Sequence, residues 1–574
     1  MTSFSVGLRA ALLVLGGAFF EAADGLAVGD NHACALLDDG SVKCFGANAY
    51  GQLGYGDTTD RGKDSDTMGD DLGAVDLGGD GAAVVAMSAG SAHTCVIFED
   101  GTLKCFGRNN RGQLGLGDTN DRGDEEDEMG EFLPAVSLGA NRTAIAVSAD
   151  GDRTCILLDN ANVRCWGDGE YGALGSGDED NAGEGNEIAD SVDLGDAAVA
   201  DIGGGPCAVF EDGSLSCWGK GCYGKNGQGA MDNVGDDEGE MGAALGTVPL
   251  GDDILVQAVA AGRDFVCAVL QSGGLKCWGR GEGGQLGNEG VATVGDDPDE
   301  MGDMLPFVDL GARGDVLKVS AGEQHVCAVM SAGAVKCWGR NFYGNLGLEG
   351  FRARGHKDGT MGDALPEVSL GTDRIAVALV AGGERTCAIL DSGELKCWGG
   401  NSDGQLGLED TNPRGVSQGQ MGDDLPAVAL GTNRTAVAPA LDALPELTLD
   451  VTPAPTGVPT PTPTTQPSTV PTAQPLTVPT SQPSTVPTAQ PLTVPTAQPS
   501  TVPTAQPSIV PTAQPLTVPT AQPSTVPTAQ PLTVPTAHPR PRPSSHPILR
   551  PFPRSIPPRR RLRILRFPRR RPRE

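Results

Sequence analysis

Fourteen of the fifteen cysteines in this chain of 574 residues stand in seven pairs, and the partners of every pair are ten positions apart. Cys34 pairs in this way with Cys44, Cys95 with Cys105, Cys155 with Cys165, Cys207 with Cys217, Cys267 with Cys277, Cys327 with Cys337 and Cys387 with Cys397. Chance does not repeat one spacing seven times. Between Cys95 and Cys105 an apolar run leads into Asp100-Gly101, after which a second strand-like segment follows. Asp-Gly is a hairpin turn signal, because glycine takes the positive φ that the turn demands. A hairpin centred there sets the two cysteines opposite each other with Cα atoms about 4.5–5.5 Å apart, within disulfide reach. In an oxidising compartment the pairs read as seven intra-hairpin disulfides, and in a reducing one as buried thiols. Zinc fits less well, since each site would offer two cysteines where structural zinc takes four ligands. Cys222, in Gly221-Cys-Tyr-Gly224, has no partner and reads either as a loop thiol or as an intermolecular bridge.

The pairs recur at steps of 61, 60, 52, 60, 60 and 60 residues, a period that means an array or a propeller. One unit reads as four short strands at Ala144–Ser148, Thr154–Leu158, Asn162–Trp166 and Ser191–Leu194. The expected fold is all-β, a seven-bladed β-propeller of four-stranded blades, because radial closure protects sheet edges that an open stack exposes. The residue after each second cysteine is aromatic: Phe45, Phe106, Trp166, Trp218, Trp278, Trp338 and Trp398. These read as one apolar anchor per blade. The first unit begins with the short Leu26-Ala-Val-Gly29, and an orphan strand, Asn433–Ala438, follows the seventh. The orphan is expected to complete the first blade and latch the ring.

The flanks differ from this body. Residues 1–23, with Arg9 ahead of the uncharged run Ala10–Phe20 and small residues at Ala22-Ala23, read as a secretory signal. The sequons at Asn141 and Asn433 suit N-glycosylation on that route. The propeller is expected to span 24–447. Residues 448–539 are Pro/Thr-rich octad repeats, which favour extended polyproline II and read as a disordered, O-glycosylated stalk. The basic tail, 540–574, holds thirteen arginines and one glutamate. Met1–Asp450 then keeps 28 basic and 73 acidic residues, a net charge of −45. So acidic a body repels phosphate backbones, so no nucleic acid is expected on the propeller. The basic tail suits an anionic polymer or acidic lipid.

The pairing of Asp100-Gly101 with Phe106-Gly107 and Gly112-Gln-Leu-Gly115, repeated in Gly284-Gln-Leu-Gly287 and Gly404-Gln-Leu-Gly407, resembles the repeats of the regulator of chromosome condensation family. The resemblance covers about 24–447 and implies a seven-bladed propeller, a scaffold that carries many activities. Two units depart from it. The third has Asn160-Ala161 at its turn and should have an irregular hairpin, and the fourth has Gly224-Lys-Asn-Gly227. A nuclear exchange factor for a small GTPase is the best-known member of the family. The leader, the cysteine pairs and the acidic body point away from that role, and towards the family's similarity to a secreted propeller that inhibits β-lactamases.

The inter-blade loops 123–130, 235–242 and 295–302 are acidic. Their carboxylates could bind Ca²⁺ weakly, yet their spacing does not match the twelve-residue calcium loop, and a solvated rim is the simpler reading. Met68, Met129, Met241, Met301, Met361 and Met421, with Ile188 in the odd unit, read as packing positions. His32, His93 and His325 each precede a cysteine by two residues and read as hydrogen-bonded structural groups. No catalytic group, metal site or cofactor is expected. The leading expectation is a secreted or surface binding module for a protein or glycan. Its competitors are an intracellular exchange or regulatory scaffold and an extracellular glycan-acting enzyme, which needs converging carboxylates on one face.

Overall fold

Each cysteine-bounded hairpin folds because two short apolar runs flank a tight turn, and a third apolar run upstream pairs with it. The computed structural model describes residues 25–78, 82–185, 191–312 and 314–438. The leader, the stalk, the basic tail and Ile188 lie outside the described residues. Seven three-stranded antiparallel sheets follow in chain order. They are β1 (Leu26–Val28), β2 (His32–Leu36) and β3 (Val42–Gly46); β4 (Val84–Ala89), β5 (His93–Phe98) and β6 (Leu103–Gly107); β7 (Ala144–Asp150), β8 (Arg153–Leu158) and β9 (Val163–Gly167); β10 (Val199–Ile202), β11 (Cys207–Phe210) and β12 (Leu215–Cys217); β13 (Val256–Ala261), β14 (Phe265–Leu270) and β15 (Leu275–Gly279); β16 (Val316–Ala321), β17 (His325–Met330) and β18 (Val335–Gly339); β19 (Ala376–Gly382), β20 (Arg385–Leu390) and β21 (Leu395–Gly399).

The first strands form the inner ring. β4 lies against β1 and β7, β16 against β13 and β19, and β19 returns to β1. Hydrophobic clusters fill the wedges between blades. One joins Leu36 and Val42 of the first blade to Met87, Val96 and Phe106 of the second. Another joins Leu395 and Leu406 of the seventh blade to Leu26, Ala33 and Phe45 of the first. The seven aromatic anchors are buried in these wedges. Each tryptophan also donates its indole N–H to a main-chain carbonyl of the preceding blade, as Trp166 does to Gln113 (2.9 Å) and Trp398 to Asn345 (3.1 Å). Burial of a large ring plus a satisfied N–H fixes the blade-to-blade distance.

The expected fourth strand is absent as a ladder. The segment holding Ser191–Leu194 runs beside β9, joined by one bond from the Val192 N–H to Val163 O at 2.8 Å. Val75, Val136, Val248, Val308, Val368 and Val428 repeat it with Val42, Leu103, Leu215, Leu275, Val335 and Leu395. In four blades the residue two before that valine is proline (Pro134, Pro306, Pro366 and Pro426), which has no N–H to extend the pairing. At the other end of each third strand an isolated bridge, such as Gly107 with Arg122, does the same limited work.

The third hairpin is regular, contrary to expectation. The Ala161 N–H bonds Leu158 O as the Gly101 N–H bonds Phe98 O, and Ala161 adopts φ 63° where Gly101 has 77°. An alanine held in the left-handed region costs about 1 kcal/mol or more. Ala161→Gly is therefore expected to stabilise the chain by about 1 kcal/mol, read as a raised urea midpoint; an unchanged or lowered midpoint would refute the strain.

The first blade is completed from the far end of the chain. Beyond β2, Leu37 bridges Ala436. The Asp38 N–H bonds Thr435 O, and the Val437 N–H bonds Leu36 O, both at 3.0 Å. Arg434 pairs with Asp39 at 2.7 Å. β1 thus supplies one half of the inner strand and the orphan segment the other. Deleting Thr432–Val437 removes these two bonds, that from the Ala436 N–H to Gly393 O, and one buried alanine. At about 1 kcal/mol for each, a loss of about 4 kcal/mol is expected. A truncated chain with the full-length urea midpoint would rule out the latch.

Candidate functional site: the mouth of the central channel

The inner strands end in tight, glycine-rich turns, and these turns ring one mouth of the channel. A cavity of about 540 Å³ opens there, lined by residues from all seven blades. Its charged lining is Asp30, Asp150, Arg153, Lys225, Arg263 and Glu323. The carboxylates are largely matched. Asp150 meets Arg153 at 3.0 Å, and Glu323 meets Arg263 at 2.5 Å. Lys225 stands where most other units carry glutamine, and it extends into the mouth to donate to Arg263 O at 3.2 Å. Burial pushes its ammonium pKa down, opposed by the nearby Asp150. Burial works against the Asp150 carboxylate, but Arg153 and Lys225 hold it below the usual range.

Around the mouth runs a belt built from three repeat positions. Three residues past the second cysteine stand Arg108, Lys220, Arg280 and Arg340; six past it stand Tyr50, Tyr171, Tyr223 and Tyr343. Three before the first cysteine stand Asp152, Asp264 and Glu384. Arg108 lies over Tyr50 of the preceding blade at 5.0 Å, Lys220 over Tyr171 at 5.5 Å, and Arg280 over Tyr223 at 5.0 Å. Asp152 takes Arg108 at 3.5 Å; Asp264 takes Lys220 at 2.7 Å and Arg280 at 3.4 Å. Burial opposes the Asp264 charge, yet Lys220, Lys225 and Arg280 keep its carboxyl below the usual range. Cations stacked on aromatic faces, with carboxylates beside them, make a polar surface with little rotamer freedom left to lose on binding.

The residues singled out from the sequence lie elsewhere. All seven cysteine pairs are disulfides that cross their own hairpins, as the spacing requires in an oxidising compartment. Cys34 is bonded to Cys44, Cys95 to Cys105, Cys155 to Cys165 and Cys207 to Cys217. Cys267 is bonded to Cys277, Cys327 to Cys337 and Cys387 to Cys397. Their Cα atoms lie 4.0–4.1 Å apart, closer than the 4.5–5.5 Å expected of an open ladder. Cys222 is an exposed free thiol. Asn141 and Asn433 occupy exposed turns at φ 57° and 58°. Met68, Met301, Met361 and Met421 are buried, and Met129 and Met241 pack partly buried against the same wedges. In the acidic loops one glutamate serves its own loop: Glu128, Glu240 and Glu300 accept the N–H groups of Gly123, Gly235 and Gly295. Thr67 and Thr360 take that place in other blades, so the position is a loop staple. Among the described residues no group of three or more His, Cys, Asp or Glu is arranged to hold a metal.

His32, His93 and His325 are buried between blades. Their Nε2 atoms meet Thr94, Thr154 and Thr386 of the next blade at 2.9, 2.9 and 3.0 Å. Each threonine hydroxyl already donates to a carbonyl, of Gln52, Gln113 or Asn345. The histidine must therefore donate, which fixes the neutral Nε2–H form. At the same position the fifth blade has Phe265, and Val326 replaces the threonine opposite it.

Segments 24–52, 84–113, 256–285, 316–345 and 376–405 match the regulator of chromosome condensation (RCC1) repeat. The unmatched blades are the two with altered turns. The chain is 27% identical over 393 residues to the ultraviolet-B receptor UVR8 of Arabidopsis thaliana, covering 68% of this chain and 79% of that one. It is 28% identical over 262 residues to the human E3 ubiquitin-protein ligase HERC2, covering 45% of this chain and 5% of that one. Among solved structures, human WBSCR16 aligns with a TM-score of 0.48 at 19% identity, over 68% of this chain and 96% of that one.

Proposed function

This chain is an RCC1-repeat protein, and we propose that it is a secreted or cell-surface binding module that presents the channel mouth to a protein partner. RCC1-repeat propellers act as protein-binding and regulatory scaffolds. The belt of stacked cations, tyrosines and carboxylates around the mouth is the observation that carries the choice of face. At this mouth Asp150 and Glu323 are engaged by arginines, as suits a pre-ordered binding surface. The leader, the sequons, the seven cysteine pairs and the Pro/Thr-rich stalk support the extracellular part of the reading. The stalk would hold the propeller away from a surface, with the basic tail on an anionic polymer or lipid.

Intact mass of the native protein, alkylated with and without prior reduction, tests the compartment. Fourteen cysteines protected until reduction, a missing leader and added glycan mass are expected. Fifteen free thiols on an unprocessed chain would return the reading to an intracellular exchange or regulatory scaffold. Chemical cross-linking of the full chain to its extracellular partner tests the face. Links are expected at Lys220; links confined to Lys63 and Lys357 in the inter-blade loops would place binding on the rim.

A further inference from the structure

Of the four tyrosines in the belt, Tyr50, Tyr171 and Tyr223 each carry a cation of the next blade, and Tyr343 carries none among the described residues. In the fifth blade Arg280 is held between Tyr223 of the preceding blade, at 5.0 Å, and Asp264 of its own, at 3.4 Å. The sixth blade repeats the tyrosine as Tyr343 and the seventh repeats the acid as Glu384, but the position of the cation is Gly400. A Cβ placed on Gly400 would lie 3.8 Å from Tyr343 Cβ and Cγ and 3.6 Å from Glu384 O, ordinary contacts between the same two partners. The missing side chain leaves a pocket of about 400 Å³, lined by Tyr343, Glu384, Glu323, Asp30 and Arg385. Glu323, Asp30 and Gly383 also line the channel mouth, so the pocket opens onto the proposed binding face.

The electrostatics favour a cation. The lining holds three carboxylates and one guanidinium, Arg385, whose two terminal nitrogens donate to the carbonyls of Gly29, Asp30 and His32 while its buried Nε–H has no partner. Glu323 is engaged by Arg263, whereas among the described residues no cation forms a salt bridge with Glu384. Burial and the nearby Glu323 hold its carboxyl above the usual range, the opposite of what Asp264 experiences beside its two cations. Tyr343 has no cation of the described residues stacked on it and is 46% exposed.

We infer that this pocket receives an arginine side chain of the protein partner, which takes the place between Tyr343 and Glu384 that Arg280 fills between Tyr223 and Asp264. Arginine suits the site because its flat guanidinium stacks on a ring while its edge bonds a carboxylate. The inference rests on the binding-module reading and names the chemistry that module recognises.

The chain has five tyrosines, so 3-fluorotyrosine labelling of the full protein gives a simple ¹⁹F spectrum in which Tyr343→Phe assigns Tyr343. N-acetyl-arginine amide is expected to shift the Tyr343 resonance saturably, and N-acetyl-citrulline amide, its uncharged counterpart, to bind at least tenfold more weakly. Gly400→Arg is expected to shift that resonance without added ligand and to abolish the titration. Glu384→Gln, which leaves packing intact, is expected to weaken arginine at least fivefold and keeps the test open should Gly400→Arg fail to fold. No saturable shift, equal binding of citrulline, or an unaltered titration in either folded variant would overturn the site. A small probe keeps this separate from the broader reading: arginine bound here, with the partner cross-linked only to the rim, retains the pocket's cation chemistry and removes its role in partner binding.

Discussion

Returned to buffer under reductant after reduction in urea, the chain is expected to stay unfolded. Each disulfide closes a loop of about ten residues, which in the chain-entropy account contributes about 2.7 kcal/mol. The seven hairpins share no covalent partner, so their contributions add to first order, to about 19 kcal/mol. A folded domain ordinarily has about 5–15 kcal/mol in total. The paired cysteines are 0–4% exposed, which is why reduction must precede refolding. All five tryptophans are buried at 2% or less, so their emission reports the outcome directly. Blue-shifted emission with a cooperative urea transition in the reduced chain would show that the interblade wedges suffice alone. Removing one pair, for example Cys267→Ala with Cys277→Ala, should cost about 2–3 kcal/mol and leave the protein folded.

What was legible in the sequence is what each blade repeats. The cysteine spacing set the hairpin register: Cys34 faces Cys44, Cys155 faces Cys165, Cys327 faces Cys337 and Cys387 faces Cys397. The aromatic after the second cysteine marked the wedge, and the orphan segment at 433–438 marked the closure. The fourth strand was over-read because Val-Asp-Leu has the composition of a strand, whereas proline upstream in four other blades limits the pairing to the valine bond or, in the fifth and sixth blades, an isolated bridge. The site was hidden for a different reason. A propeller mouth takes its side chains from seven distant places, so Asp30, Lys225 and Glu323 share no local motif. Its signal lay in aligned repeats: the change from glutamine to Lys225, and from arginine to Gly400. The buried lysine before the second cysteine was also passed over. Lys276 and Lys336 look like exposed strand charges, yet each spends its ammonium on one carbonyl of the loop before its blade (Leu250, Leu310) and one of the loop after it (Gly302, Gly362).

Acid should destabilise this propeller well above the pH at which most carboxylates titrate. Burial lowers the pKa of His32 to about 3 and of His93 and His325 to about 4. Arg385 and His93 press further on His32. The tautomer explains the penalty: Nε2–H is used on threonine, and Nδ1 of His32 and His93 has no partner for a second proton. A base with a depressed folded-state pKa is neutral in the native chain while the unfolded chain binds a proton. Stability is therefore complete above pH 6.5 and falls as pH drops from 6.5 towards 4. At pH 5 each histidine has cost about 2 kcal/mol, the three together about 6 kcal/mol. The fifth blade shows how to remove the effect, since Phe265 and Val326 meet where the others place histidine and threonine. The junctions to convert are His93→Phe with Thr154→Val, and His325→Phe with Thr386→Val. There the carbonyls of Gln113 and Asn345 keep the indole N–H of Trp166 and Trp398 after the hydroxyl is gone; at Gln52 the anchor is Phe106, which has no such donor. Urea unfolding at pH 7 and pH 5 should show a loss of about 6 kcal/mol in the parent and about 2 kcal/mol in the four-residue variant. Equal losses in the two proteins would assign the acid limb to other groups. The net charge of −33 works in the opposite sense, because protonating surface carboxylates relieves repulsion, so a surviving acid limb above pH 5 isolates the buried imidazoles.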